Sequence, residues 1–295
     1  MKYTLRQLEV FLATARHENV SRAADALAMS QSAASGSLKE LEQQFGVQLF
    51  DRVGKRLQLS ELGRQLRAQA ESLLGQAQEF EQAMSGGQAV GSLRIGATLT
   101  IGNYLAVPLI AAFRQQFPDA EVALEVANTA TIARKVTDFE LDLGMIEGEI
   151  NRPQLESIHW RHDTLQVFAA PTHALAGKRR VSDSQLKAQQ WIVREPGSGT
   201  RQTFDRAMHG LLSDLDITME LQHTEAIKRA VEAGLGVGCL SSISLADAFA
   251  RGSLVPLKVP QRDFSRQLTL IARRDRYNSA ATRHWLELCA RNRGS

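Results

Sequence analysis

Residues 20–50, VSRAADALAMSQSAASGSLKELEQQFGVQLF, constrain the fold more tightly than any other stretch of the chain. Ser21 opens an alanine-rich run in which Ala23, Ala24, Leu27 and Ala28 recur at the three-and-four spacing of one helix face. Met29 and Ser30 break that pattern, and a serine there caps a new helix by accepting an otherwise orphaned backbone N–H. The second helix carries Ala34, Leu38, Leu41 and Phe45 on one side and stops at Gly46, which tolerates a left-handed C-terminal position. Its other side, Gln31, Ser32, Ala33, Ser35 and Lys39, offers small or polar groups with nothing bulky to bury, and Ser21 and Arg22 lead into the first helix. Two helices so arranged suit a helix-turn-helix, whose polar face enters the DNA major groove where glutamine pairs with adenine and serine with several base edges. Periodicity alone fits an ordinary helical bundle equally well.

The next residues favour the first reading. Leu57-Gln58-Leu59 alternates after a Gly54 turn, giving a small hairpin whose tip holds Arg52, Lys55 and Arg56. A cationic hairpin directly after a helix-turn-helix forms a wing suited to phosphates or the minor groove. LRQLEVFLATARHENVSRAADALAMSQSAASGSLKELEQQFGVQLFDR closely resembles the winged helix-turn-helix of LysR-type transcriptional regulators, and the likeness continues through the chain. Within that family TIGNYL, DLGMIEG, REPGSGTR and EAIKRAVEAGLGVGCLS are most similar to regulators tied to sulfur and sulfite metabolism. The resemblance implies an N-terminal all-α winged helix-turn-helix with a long linker helix, followed by a two-lobed α/β effector domain like the periplasmic binding proteins. It further implies a bacterial, non-enzymatic, promoter-binding homotetramer built as a dimer of dimers and controlled by a small molecule, and it admits RNA polymerase as a partner. Ser32 stands where the family often has proline, and Gly36 where it often has a longer side chain, so base preference does not carry over at those positions.

At 295 residues the chain has room for two or three compact units, and 43% hydrophobic residues suffice for their cores. No apolar run approaches membrane-spanning length, MKYTLRQLEV lacks the features of a signal peptide, and the two cysteines, Cys239 and Cys289, cannot form a disulfide framework. A cytoplasmic protein without membrane contacts is expected. The net charge of +3 is small, but residues 52–67 set Arg52, Lys55, Arg56, Arg64 and Arg67 against Glu61 alone. The C-terminal group of Arg262, Arg266, Arg273, Arg274, Arg276, Arg283, Arg291 and Arg293 reads as a solvated surface.

Thr4 and Gln7 form a capping box for a helix from Leu5 to about Arg16. Ser60 caps a long helix to about Met84, along which Leu62, Leu66, Ala70, Leu73, Ala77, Phe80 and Met84 trace a heptad-like seam. Leu62, Leu66, Leu73 and Phe80 are the candidate dimerisation residues, as the family likeness also implies. Ser85-Gly86-Gly87 and Gly91 mark a hinge. Strands then alternate with helices: Leu93–Ala97, a helix from about Asn103 to Phe117, Glu121–Val126, helix 129–138, Leu141–Ile146, and a second run beginning near Leu165. The predicted division is 1–60, 61–90 and 91–295, with one lobe of about 91–163 and 267–295 and the other of about 164–266.

In open α/β sheets ligands lie beyond the carboxyl ends of strands. Thr98, Thr100 and Asn103 occupy that position in the first lobe; Ser198, Gly199, Thr200 and Arg201 occupy it in the second. Hydroxyls, helix N-termini and a guanidinium suit an oxyanion or carboxylate effector, and Glu147 is expected to pair with Arg201 or a ligand donor. No cofactor is expected beyond that effector, for which the family likeness suggests sulfite or another small oxyanion. The competing class is a small-molecule binding protein or an enzyme using Ser198 of GSGT, although the loop lacks nucleophile-elbow spacing. GLGVG at 234–238 follows a helix and precedes a strand, the reverse of a dinucleotide site, and Cys239 behind it reads as a small buried hydrophobe. His159 and His162 are spaced to act together but lack a third ligand for a metal.

Overall fold

The computed structural model describes residues 2–54, 56–84 and 90–293, so Lys55 and the Ser85-Gly86-Gly87 hinge lie outside the described residues. The chain forms two compact units: residues 1–91 with 274–283, and residues 92–273 with 284–295.

The first unit runs α1 (Leu5–His17), α2 (Val20–Ala26), α3 (Gln31–Phe45), β1 (Phe50–Val53), β2 (Arg56–Leu59) and α4 (Glu61–Met84). The capping box is present: Thr4 Oγ1 accepts from Gln7 N at 3.2 Å, and Gln7 Oε1 accepts from Thr4 N at 2.9 Å. Helix α2 starts one residue ahead of Ser21, because the Asn19 side chain accepts from Arg22 N at 3.0 Å. It ends at Ala26, so Ala28, expected on a helical face, instead turns the chain at φ +51°. Arg6 Nη2 donates to Leu27 O at 2.8 Å and holds that turn. Helix α3 begins as expected, with Ser30 Oγ accepting from Ala33 N at 3.2 Å, and stops at Gly46 with φ +63°. Leu8, Phe11, Ala34, Leu38, Leu41 and Phe50 form the core, where the Phe11 and Phe50 rings meet edge-on at 5.7 Å. Phe45 departs from the expected stripe and is 48% exposed, since the helix end has run past the core.

Ser60 caps α4: its hydroxyl accepts from Gly63 N at 3.0 Å and donates to Gln48 O at 2.7 Å. The seam along α4 divides in two. Leu66 and Ala70, expected to face a second copy, pack with Leu74 against the core of their own unit. Leu62 is half-buried, whereas Leu73, Phe80 and Met84 are 41%, 65% and 67% exposed. Leu66, Ala70 and Leu74 recur at four-residue spacing on one stripe that faces this core, and a heptad pattern does not distinguish such a stripe from a dimer seam.

The second unit contains β3 (Ser92–Ala97), β4 (Glu121–Val126), β5 (Leu143–Glu147), β6 (Leu155–Ala169), β7 (Gln190–Arg194), β8 (Asp216–Leu221), β9 (Val237–Ser241), β10 (Val255–Pro256) and β11 (Ser265–Arg273). Their order is β4-β3-β5-β11-β6-β9-β7-β8, with β10 on β6. Strands β4, β3 and β5 run parallel, as do β8, β7 and β9, and each set is crossed by helices as βαβ connections require. The antiparallel pair β6 and β11 joins the two lobes. Residues 155–164 of β6 pair with β11, and residues 165–168 pair with β9. The helix expected from Asn103 begins earlier, as Leu99–Ile101, and passes through a π turn at Gly102–Ala106 into Val107–Gln116. Pro108 has no N–H to give the preceding turn, and the wider turn sits directly ahead of it.

Candidate functional site

Two surfaces carry the candidate chemistry, one on each unit. On the first, the apolar residues of α3 are inside, so the face left outside is fixed by its 3.6-residue period. Gln31, Ser32, Ala33, Ser35 and Lys39 are all exposed, as are Ser21 and Arg22 on α2. Strands β1 and β2 pair from Phe50↔Leu59 to Val53↔Arg56, which puts exposed Arg52 and Arg56 on the expected wing. Lys55 of the same wing lies outside the described residues. Gly36 lies on the exposed side of α3, and a Cβ there would meet no atom within 4 Å. Its missing side chain serves no internal packing and leaves the backbone open to close approach. The surface sets exposed amide and hydroxyl side chains, of the kind that can read base edges, beside guanidiniums of the kind that can neutralise phosphates.

On the second unit, the ends of β3, β5 and β7 converge as expected, but around a cation that sequence reasoning assigned to the surface. Arg266, on β11, is 4% exposed. Its Nη1 lies 2.9 Å from Glu147 Oε2 and its Nη2 lies 2.7 Å from Asp163 Oδ2; both carboxylates are buried. Glu147 also accepts from Thr100 N at 2.9 Å through Oε1 and from the Thr200 hydroxyl at 3.0 Å through Oε2. Arg266 Nη1 in turn donates to Thr200 Oγ1 at 2.9 Å, and Ser241 Oγ donates to Asp163 Oδ1 at 2.9 Å. Thr100 and Thr200, from opposite lobes, are thus joined through one carboxylate and one guanidinium. Gly199 makes this approach feasible: a Cβ there would sit 2.0 Å from Glu147 O.

The remaining expected residues distribute unevenly. Thr98 is buried beside the seat, with its N–H on Met145 O, and Ser198 caps its helix by accepting from Thr200 N at 3.2 Å. Asn103 is exposed in the π turn, away from the seat, because the helix began four residues sooner than its sequence suggested. Arg201 turns elsewhere, to Asp205 at 2.8 Å, to Glu220 and to Arg194 O. Glu147 therefore pairs with Arg266 and not with Arg201. The sequence did hold a pointer to Arg266, which shares the period-two buried face of β11 with Leu268 and Leu270. A second interlobe contact was also missed: Tyr104 Oη donates to Glu225 Oε1 at 3.0 Å, and nearby buried Lys228 donates to Ser244 O at 3.1 Å. His159 and His162, though separated by three positions, bring their rings to 4.7 Å. Cys239 and Cys289 are free and buried; burial pushes the Cys289 thiol up to about 12 and Cys239 further still, so both behave as small apolar groups.

A winged helix-turn-helix joined to two α/β lobes closing on a polar seat defines a ligand-responsive DNA-binding regulator. Comparison with known proteins gives the family. Residues 5–64 match the bacterial regulatory helix-turn-helix protein of the lysR family, and residues 86–293 match the LysR substrate binding domain. The HTH-type transcriptional regulator YeiE of Escherichia coli (strain K12) is 43% identical over 289 residues, covering 98% of both chains. Full-length OxyR from Pseudomonas aeruginosa superposes with a TM-score of 0.74 at 24% identity, covering 99% of this chain and 94% of that one. The Synechocystis CcmR regulatory domain, solved in complex with 2-PG, has a TM-score of 0.65 at 28% identity, covering 70% and 98%. The chain belongs to the LysR-type transcriptional regulators, with a DNA-binding and an effector-binding domain. Among the described residues no helix is long and apolar enough to cross a membrane.

The seat sets a pH dependence. Burial alone would raise the Glu147 carboxyl, but Arg266, the Thr100 hydrogen bond, Arg194 and Thr200 outweigh it and hold the group below its ordinary value of 4.5. A carboxylate depressed on folding adds stability above its unfolded value, and that stability is lost as pH falls through the lower folded value. Glu147→Gln should therefore unfold at lower denaturant than wild type at neutral pH, with the gap narrowing below 4.5. Urea titrations of both proteins across that range measure it; a gap independent of pH would contradict the assignment.

Proposed function

We propose that this chain controls transcription as a dimeric reader of promoter DNA whose effector is a small oxyanion held between Thr100, Thr200 and Arg266. Sulfite or sulfate is the first choice, on the family likeness, and a small carboxylate is the alternative. What supports the reading is the seat itself: a backbone N–H, a hydroxyl and a guanidinium already converge on a carboxylate, the geometry an oxyanion requires. Glu147 thus acts as a resident occupant that the effector displaces. An anion bridging Thr100 and Thr200 favours one setting of the lobes, and differential affinity for that setting shifts the population. The complex of a relative's regulatory domain with 2-PG supports small-ligand binding by this kind of domain.

Each part has its own test. Gln31→Ala should weaken a cognate site by about 1–3 kcal/mol and relax base preference, while Arg52→Ala should weaken all sequences and flatten the salt slope by about one. Uniform losses in both variants would argue against α3 as the reading helix. The exposed Leu73, Phe80 and Met84 form the proposed dimer seam, and Leu73→Glu should shift sedimentation to a smaller species, because a buried unpaired carboxylate is costly. An unchanged oligomer would remove the seam from the interface. For the effector, calorimetry with sulfite and sulfate should show weaker binding in Thr100→Val and Thr200→Val and tighter binding in Glu147→Gln, whose neutral amide competes less for Arg266. Unaltered affinity in the threonine variants, or weaker binding in Glu147→Gln, would move the effector away from this seat.

A further inference from the structure

On a regular strand, positions three apart point to opposite faces. His159 and His162 nevertheless share one face of β6, because the ladder to β11 carries a bulge: Leu268 pairs with Arg161 and Thr269 with His159, leaving Trp160 as the extra residue. Trp160 anchors the bulge inside, 2% exposed, with its indole N–H on Cys289 O at 2.9 Å. Such bulges re-aim side chains. Here both imidazoles turn into a groove of about 970 Å³, walled by the helix bearing Gln202 and Arg206 and by the start of β11 with Gln267. The groove is far larger than an inorganic oxyanion needs and falls in the range of small-molecule sites. Among the described residues neither imidazole has a hydrogen-bond partner.

We infer that this groove is a second ligand site, distinct from the seat around Glu147, for a small hydroxyl-bearing organic dianion, and that it takes up protons with its ligand. The charges facing the imidazoles across the groove are Glu149, Arg206, Asp263 and Arg266. Arg266 is outweighed from behind by Glu147 and Asp163, Arg206 lies 3.5 Å from Glu149, and Asp263 adds a further acid, so the lining offers no net positive charge for an anion. Only protonation of His159 and His162 supplies it. Imidazole changes charge between about pH 5 and 8, and two cations so close repel unless an anion lies between them. Gln267 and the Ser157 and Thr269 hydroxyls provide the neutral hydrogen bonds for ligand hydroxyls.

Isothermal calorimetry of the full chain with malate and with tartrate, at about pH 6 and about pH 8 in buffers of different ionisation enthalpy, tests this. At the lower pH both dianions should bind at least about tenfold more tightly, with proton uptake, and neutral glycerol should not bind. The double variant His159→Gln, His162→Gln should lose that preference, Arg206→Gln should weaken binding at both pH values, and Thr200→Val should leave binding intact. Equal affinity at both pH values, full affinity in the double histidine variant, or zinc binding to wild type with no dianion binding would overturn the inference. Loss in Thr200→Val would assign the binding to the seat instead.

Discussion

The guanidinium of Arg266 is the contact on which the arrangement of the lobes depends. It sits on β11, reaches Glu147 at the end of β5, Asp163 on β6 and Thr200 at the head of the second lobe's helix. Buried ions are tolerated only when every partner is in place, and removing one leaves another charge stranded in a low dielectric. Here two carboxylates share one guanidinium, and the hydroxyls of Thr200 and Ser241 with the Thr100 N–H satisfy the remaining carboxylate oxygens. A network so closely matched gives the lobes a defined setting more than it adds net stability. On the proposed reading, the polar groups that recognise the effector are also the groups that hold this setting.

The fold was largely legible because most of its elements are local. Capping at Thr4, Ser30 and Ser60, the stripes of α1 and α3, the wing, and the alternation of strands with helices all depend on residues a few positions apart. What local pattern could not show was competition between partners. Leu66 fits a dimer seam and an intramolecular core equally well in sequence, and proximity to the winged domain decides between them. The helix after β3 starts at Leu99, four residues sooner than the pattern suggested, which leaves Asn103 exposed within the π turn and out of the seat.

The candidate sites were half legible for a related reason. Thr100 and Thr200 follow from strand-to-helix geometry, a rule about topology. Their cation does not, because Arg266 lies 66 residues from Thr200 and 119 from Glu147. A count of arginines near the C-terminus suggested solvent, whereas the alternation with Leu268 and Leu270 pointed inward. The histidine pair stood out by its spacing, but strict alternation puts His159 and His162 on different faces, and only the bulge at Trp160 brings them to one.

One continuous strand, Leu155–Ala169, belongs to both lobes. No slack peptide separates them there, so they cannot swing like jaws on a loose pin. Any change of setting must be taken up as added or released twist along a hydrogen-bonded ribbon, shared by many bonds and small at each. The effector domain is then better pictured as a torsion bar than as a trap. Its two lobes are coupled through the backbone hydrogen bonds of that strand to β11 and to β9.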